Sequence, residues 1–137
     1  MRFPGRIRRD GRFWLAEVPA LDAVTQGRTK REALAMVEDL VETMAGARGF
    51  RVTVYPTGGG TFEIGGNHLG VLLALLLRRQ RERQGLTLAE AAERLGQRSR
   101  NAYARYEQGR AMPTVEMVER LLKAIAPGQK IVWHIAA

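Results

Sequence analysis

The sequence predicts an α+β chain in two parts: a β-β-α-β-β layer over residues 1–66, then an all-α segment over 67–137 that ends in a short strand. Three observations carry this. Up to about residue 66 apolar residues mostly alternate at period two, with one stretch at helical spacing; beyond it they recur every three and four. The run GGNHLG punctuates the change. The charge is also unevenly shared: residues 1–70 hold ten Lys and Arg against eight Asp and Glu, residues 71–137 twelve against six.

In order along the chain, IRRDGRFWLAEV places Asp10-Gly11 between two extended stretches, a strong hairpin signal. In the second stretch Trp14, Ala16 and Val18 share one face and Phe13 and Leu15 the other, and Pro19 ends the strand. Thr29-Lys30-Arg31-Glu32 fits a capping box, with Glu32 returning to the Thr29 N–H. Ala33, Val37, Leu40, Val41 and Met44 follow at helical spacing until Gly46 and Gly49 stop the helix. FRVTVY alternates as a third strand, glycines 58–60 turn the chain, and TFEI makes the fourth. A helix over about 69–84 stops at Gly85. Thr87 and Glu90 cap the next, which closes at Gly96. Ser99 caps a third, with Gly109 as its left-handed stop. Thr114 caps a fourth whose stripe is Val115, Val118, Leu121, Leu122 and Ile125. KIVWHI reads as a last strand, pairing within the chain or across a dimer.

Composition narrows the function. The chain has no cysteine, so disulfides, thiolate zinc sites and cysteine nucleophiles are excluded. The longest apolar stretch, 69–77, is about half of the roughly 20 residues a bilayer requires. The basic N-terminus lacks the apolar core of a signal peptide. The expectation is a soluble cytoplasmic protein without a membrane partner. Metal-assisted nucleases need several carboxylates converging on cations. The acids here fall in a turn, a loop, a cap and a helix face, where Glu38 and Glu42 are i, i+4 neighbours on a solvated face; His68 and His134 lack partners at ligand spacing. The expectation is no catalysis, no metal and no cofactor.

The formal charge is +8, and nine arginines against four glutamates lie within 78–110. On a helix capped by Ser99, Tyr103 and Tyr106 face inward onto Ala92 and Leu95. Arg100, Asn101, Ala104, Arg105 and Gln108 are left outward. Arg pairs bidentately with guanine and Asn with adenine in a major groove that admits one helix. This region, about 75–126, resembles the XRE (Cro/phage-repressor-like) helix-turn-helix family through RERQGLTLAEAAERLG, SRNAYARYEQG and PTVEMVERLLKAI. The resemblance implies base contacts from Ser99, Arg100 and Asn101, with Ala104 and Arg105 one turn later, and a phosphate contact from Gln108. Arg98 and Arg110 flank the same helix. It also implies operator DNA as a partner, bound by a homodimer or higher oligomer. Two departures are Leu88, where the family often has glutamine, and the turn Gly96-Gln97-Arg98, one residue longer than usual.

The first part, residues 2–65, resembles the HicB antitoxin family through DGRFWLAEVPALDAVTQGRTKREALAMVEDLVETM, above all Thr25-Gln26-Gly27, Thr29 and Glu32-Ala33-Leu34. Pro19-Ala20-Leu21-Asp22-Ala23 stands where the family commonly has P-D-L-P-G. The resemblance implies a partial RNase H-like fold that covers a HicA-type mRNA-cleaving toxin, and repression of the antitoxin's own operon. Phe13, Trp14, Glu38 and Glu42 are the candidate toxin contacts, acidic groups suiting a basic RNA-binding toxin. The alternatives are a free-standing transcription regulator whose first domain senses a small ligand, and an RNase H-type nuclease.

Overall fold

A computed structural model describes residues 1–135. The element order is β1 (Phe3–Asp10), β2 (Phe13–Val18), a 3-10 turn (Pro19–Leu21), β3 (Ala23–Gly27), α1 (Lys30–Ala45), β4 (Val52–Gly58), β5 (Thr61–Gly66), α2 (Leu69–Arg83), α3 (Leu88–Arg94), α4 (Arg100–Glu107) and α5 (Val115–Ile125). The chain divides into two compact units, Met1–Leu76 and Leu77–Ala137. The division falls inside α2, where the sequence reading puts it between 66 and 67.

The first unit is one antiparallel five-stranded sheet in the order β3-β2-β1-β5-β4. The β-β-α-β-β order predicted from the sequence is corrected by one strand. The sequence reading assigns no element to AVTQG, yet it pairs along β2 from Val18↔Ala23 to Trp14↔Gly27. Pro19 does end β2, and the chain returns through the 3-10 turn and Asp22 in the left-handed conformation (φ 49°). The hairpin turn is also displaced. Its central residues are Gly11 and Arg12, with positive φ only at Gly11, the pattern of a Gly-first two-residue turn.

Period two places Ile7, Ala16, Val18, Phe62 and Ile64 in the buried layer, with Ala33, Val37 and Val41 of α1. Gly27 is where β3 passes closest to α1: a Cβ there would lie 2.4 Å from the Ala33 nitrogen. Thr29 accepts from the Glu32 N–H at 3.0 Å, as a cap should. Glu32 reaches back one residue further than predicted, to the Arg28 N–H.

Edge strand β4 explains two of the candidate contacts. Its Val52 N–H donates to Glu42 Oε1 at 2.9 Å and its Val54 N–H to Glu38 Oε1 at 3.0 Å. The next outward position is Pro56, which has no N–H. The edge is thus closed to strand addition by two carboxylates and a proline. This corrects the reading of Glu38 and Glu42 as a free acidic face: their spacing of four matches two outward N–H groups of one strand. Glu38→Ala/Glu42→Ala is expected to leave two edge donors unmet, at about 1–3 kcal/mol each. Thermal melts and light scattering check it; an unchanged midpoint with no added self-association would show the caps to be dispensable.

In the second unit the caps follow the sequence reading. Thr87 and Glu90 form a complete capping box, Ser99 accepts from the Asn101 N–H and Thr114 from the Met117 N–H. Helices α2, α3 and α4 each end the same way. Gly85, Gly96 and Gly109 adopt φ near +70°, and the next residue's N–H reaches back to a carbonyl of the last turn: Leu86 to Arg81, Gln97 to Ala92, Arg110 to Arg105. Val118, Leu121, Leu122 and Ile125 of α5 are buried, but Val115, predicted on the same stripe, is exposed.

The predicted last strand is not formed over residues 131–135. Its alternation is strand-like, but among the described residues this unit has no strand edge for it to pair with, which leaves pairing across a dimer as the remaining expectation. Ile135 is 95% exposed, and Trp133 instead donates its Nε1–H to Glu119 Oε1 at 2.8 Å. Residues 136–137 of that prediction lie outside the described residues.

Candidate nucleic-acid interface

The site is α4 and what holds it. Tyr103 is fully buried, and Ala91 and Ala92 of α3 are small enough for α4 to approach closely. Behind Tyr103 lies an ion pair the sequence reading did not find. Arg81 of α2 clasps Glu107 in the last turn of α4 through two hydrogen bonds, Nε to Oε1 at 2.6 Å and Nη2 to Oε2 at 3.0 Å. Its remaining Nη1 donates to the Leu86 carbonyl at 2.7 Å. The two side chains are 13% and 6% exposed. This bidentate, largely desolvated pair ties α4 to the end of α2 and to the turn before α3. The hydrogen bond to Glu107 raises the Arg81 pKa further still.

The Tyr103 hydroxyl lies beside this pair without a hydrogen-bond partner among the described residues. Burial first, then Glu107, raises the phenol's pKa well above its ordinary value. A neutral acid with a raised pKa stabilises the fold in full below its unfolded pKa, about 10, and that stability is lost as pH rises beyond it. Tyr103→Phe is therefore expected to be neutral or stabilising at pH 7 and to flatten the alkaline loss above about pH 10. Urea midpoints at the two pH values check it. A loss greater than about 1 kcal/mol at pH 7 would mean that the hydroxyl has a partner.

What α4 turns outward differs from the prediction at one residue. Ala104 is 6% exposed and packs inward beside Tyr103, so it leaves the candidate reading face. Positions 100, 103, 104 and 107 share one side of the helix, and the last three are held inside. The exposed stripe is Asn101, Arg105 and Gln108, with Ala102 beside it. Ala102 was missed; its signal is its place one turn before Arg105 on a helix whose buried side is fixed by Tyr103. Arg98, Ser99 and Arg100 are exposed at the N-terminal end, and Arg110 just past the C-terminal end. The outward face therefore carries arginines and one asparagine, the side chains that read base edges in a major groove, on a short helix set against another by a tight turn.

Residues 72–126 match the family model described as a helix-turn-helix domain. This part of the chain is similar to helix-turn-helix domains. A search of curated proteins returned no match. The matched residues include α3 and α4, and α4 closes at Gly109 with the Arg110 N–H reaching back to the Arg105 carbonyl.

The candidates of the first unit are not brought together as one surface. Phe13 is exposed on the open face of the sheet, whereas Trp14 is half-buried on the other, with Arg9 and Lys30 over its ring at 5.9 and 6.0 Å. Glu38 and Glu42 are engaged at the β4 edge. His68 caps α2, its Nδ1 accepting from the Val71 N–H. Among the described residues no three His, Asp or Glu side chains are grouped as metal ligands would be. No helix of the described residues is long and apolar enough to cross a membrane.

Proposed function

We propose that the chain is a cytoplasmic antitoxin of HicB type. Its first unit binds and neutralises a HicA-type mRNA-cleaving toxin, and its helix-turn-helix represses its own operon as a homodimer or higher oligomer. The observation that carries this reading is the pairing of a helix-turn-helix domain with a separate sheet unit bearing the HicB-like signature. That signature has a physical reason here. In Thr25-Gln26-Gly27 the glycine sits where no Cβ fits against α1, and Thr29 caps that helix. Toxin neutralisation is steric cover, needing no catalytic group or cofactor, and the partial RNase H-like character of the first unit belongs to the same reading. Toxin occupancy changes operator affinity through linkage.

In this reading Arg98, Ser99, Arg100, Asn101, Arg105, Gln108 and Arg110 meet the operator. Arg100→Ala is expected to weaken operator binding by about 1–3 kcal/mol and to relax preference at one base position. Equal loss on all sequences would make Arg100 a phosphate contact.

The test is recovery of the tagged full chain from its host. A stoichiometric small basic protein whose RNA cleavage stops on complex formation supports the antitoxin. A chain recovered alone, still bound at its promoter, overturns it. That outcome would favour the alternative, a free-standing regulator sensing a small ligand.

A further inference from the structure

Between α1 and β4, within the first unit, runs a trough of about 550 Å³. Leu34, Ala35, Val54 and Pro56 form an apolar floor, and Lys30 and Arg31 stand at one end. Three features define what it can hold. It is open along its length, with Ala35, Pro56 and both cations exposed, whereas small-molecule sites enclose most of their ligand. Its strand wall cannot recruit another strand, because the outward N–H groups of Val52 and Val54 are taken by Glu42 and Glu38 and Pro56 has none. Side chains, not backbone pairing, must therefore make the contact. Its charge is segregated along α1, with Lys30 and Arg31 at one end and Glu38, still anionic, about two turns further on. The Glu38 carboxylate is committed to Val54, while Lys30 and Arg31 occupy the first turn of α1, where the helix dipole adds positive potential. Lys30 is otherwise only at the margin of the Trp14 ring.

We propose that this trough is a docking site for a protein segment with apolar side chains followed by a carboxylate, the apolar groups on Leu34 and Val54 and the carboxylate at Lys30 and Arg31. It rests on the antitoxin reading only for the identity of the partner. It reverses the charge expected of the contact, since a segment presented here must be acidic at the α1 end.

The experiment uses the ¹⁵N-labelled full chain and three probes: an apolar–acidic peptide, an apolar–basic peptide of equal length, and decanoate. The expected result is saturable shifts of the Leu34, Ala35 and Val54 amides with the acidic peptide alone. Lys30→Glu/Arg31→Glu should weaken that binding at least about tenfold, and Ala35→Glu should do the same from the floor. All three positions are exposed, so thermal midpoints should not move. Equal binding of the basic peptide, tighter binding of decanoate, or no shift with any probe would overturn the proposal. None of these results bears on whether the chain binds a toxin, which is read from capture and RNA cleavage.

Discussion

Glu107→Ala is expected to destabilise the helix-turn-helix unit by about 3–5 kcal/mol, because it leaves the Arg81 guanidinium without its partner in a mostly desolvated site. That is a large share of the roughly 5–15 kcal/mol that holds a typical domain together. The loss should appear as an early helical transition by circular dichroism, separate from the melting of the sheet. Arg81→Ala should behave similarly, with the added loss of the Leu86 carbonyl contact. The pair Arg81→Met/Glu107→Leu is expected to recover most of the stability, since apolar replacements of both partners avoid the unpaired charge. A Glu107→Ala chain melting within about 1 kcal/mol of the parent would place the pair among screened surface contacts. The function follows from the same geometry: the clasp fixes the angle of α4, so operator affinity should fall even at temperatures where Glu107→Ala remains folded.

Asn101→Ala and Arg105→Ala are each expected to weaken specific DNA binding by about 1–3 kcal/mol, about fivefold to 150-fold. The two residues are i, i+4 neighbours on the exposed stripe, so their effects should couple rather than add. Each should relax preference at its own base pair. Arg98→Ala and Arg110→Ala, at the two ends of the helix, should instead reduce the dependence of affinity on salt, by about one unit of slope each if each neutralises one phosphate. Competition titrations with single-base operator variants at two salt concentrations separate the two classes. Equal losses from Asn101→Ala on every operator variant would remove it from the base-reading face.

Local signals were legible in the sequence, and remote ones were not. Thr29, Thr87, Ser99 and Thr114 cap the helices they were expected to cap, because a cap is decided by residues within one turn. The stops at Gly85, Gly96 and Gly109 were equally plain, since a left-handed residue excludes most side chains. The Arg81–Glu107 clasp was not legible. Nothing within 26 residues marks which of the many arginines reaches the one glutamate of α4. β3 was hidden because a five-residue edge strand ending in Thr-Gln-Gly looks like the approach to a capped helix. Ala104 was misplaced because a helix of eight residues buries two adjacent positions, 103 and 104, where an idealised stripe shows one. The alternation of KIVWHI marks strand propensity, but pairing makes a strand, and the described residues of its own unit include no partner edge.

The proposed function requires that this chain recognise DNA sequence through the exposed face of α4. The most direct measurement is selection of binding sites for the full chain from a random duplex library at physiological salt, repeated with Asn101→Ala/Arg105→Ala. One enriched motif is expected for the parent chain, arranged as a two-fold repeat with half-sites about 34–36 Å apart or a multiple of that. The double variant should lose the motif while keeping weak, salt-sensitive binding to any duplex. Enrichment of the same motif by the double variant, or no motif from the parent chain, would contradict it.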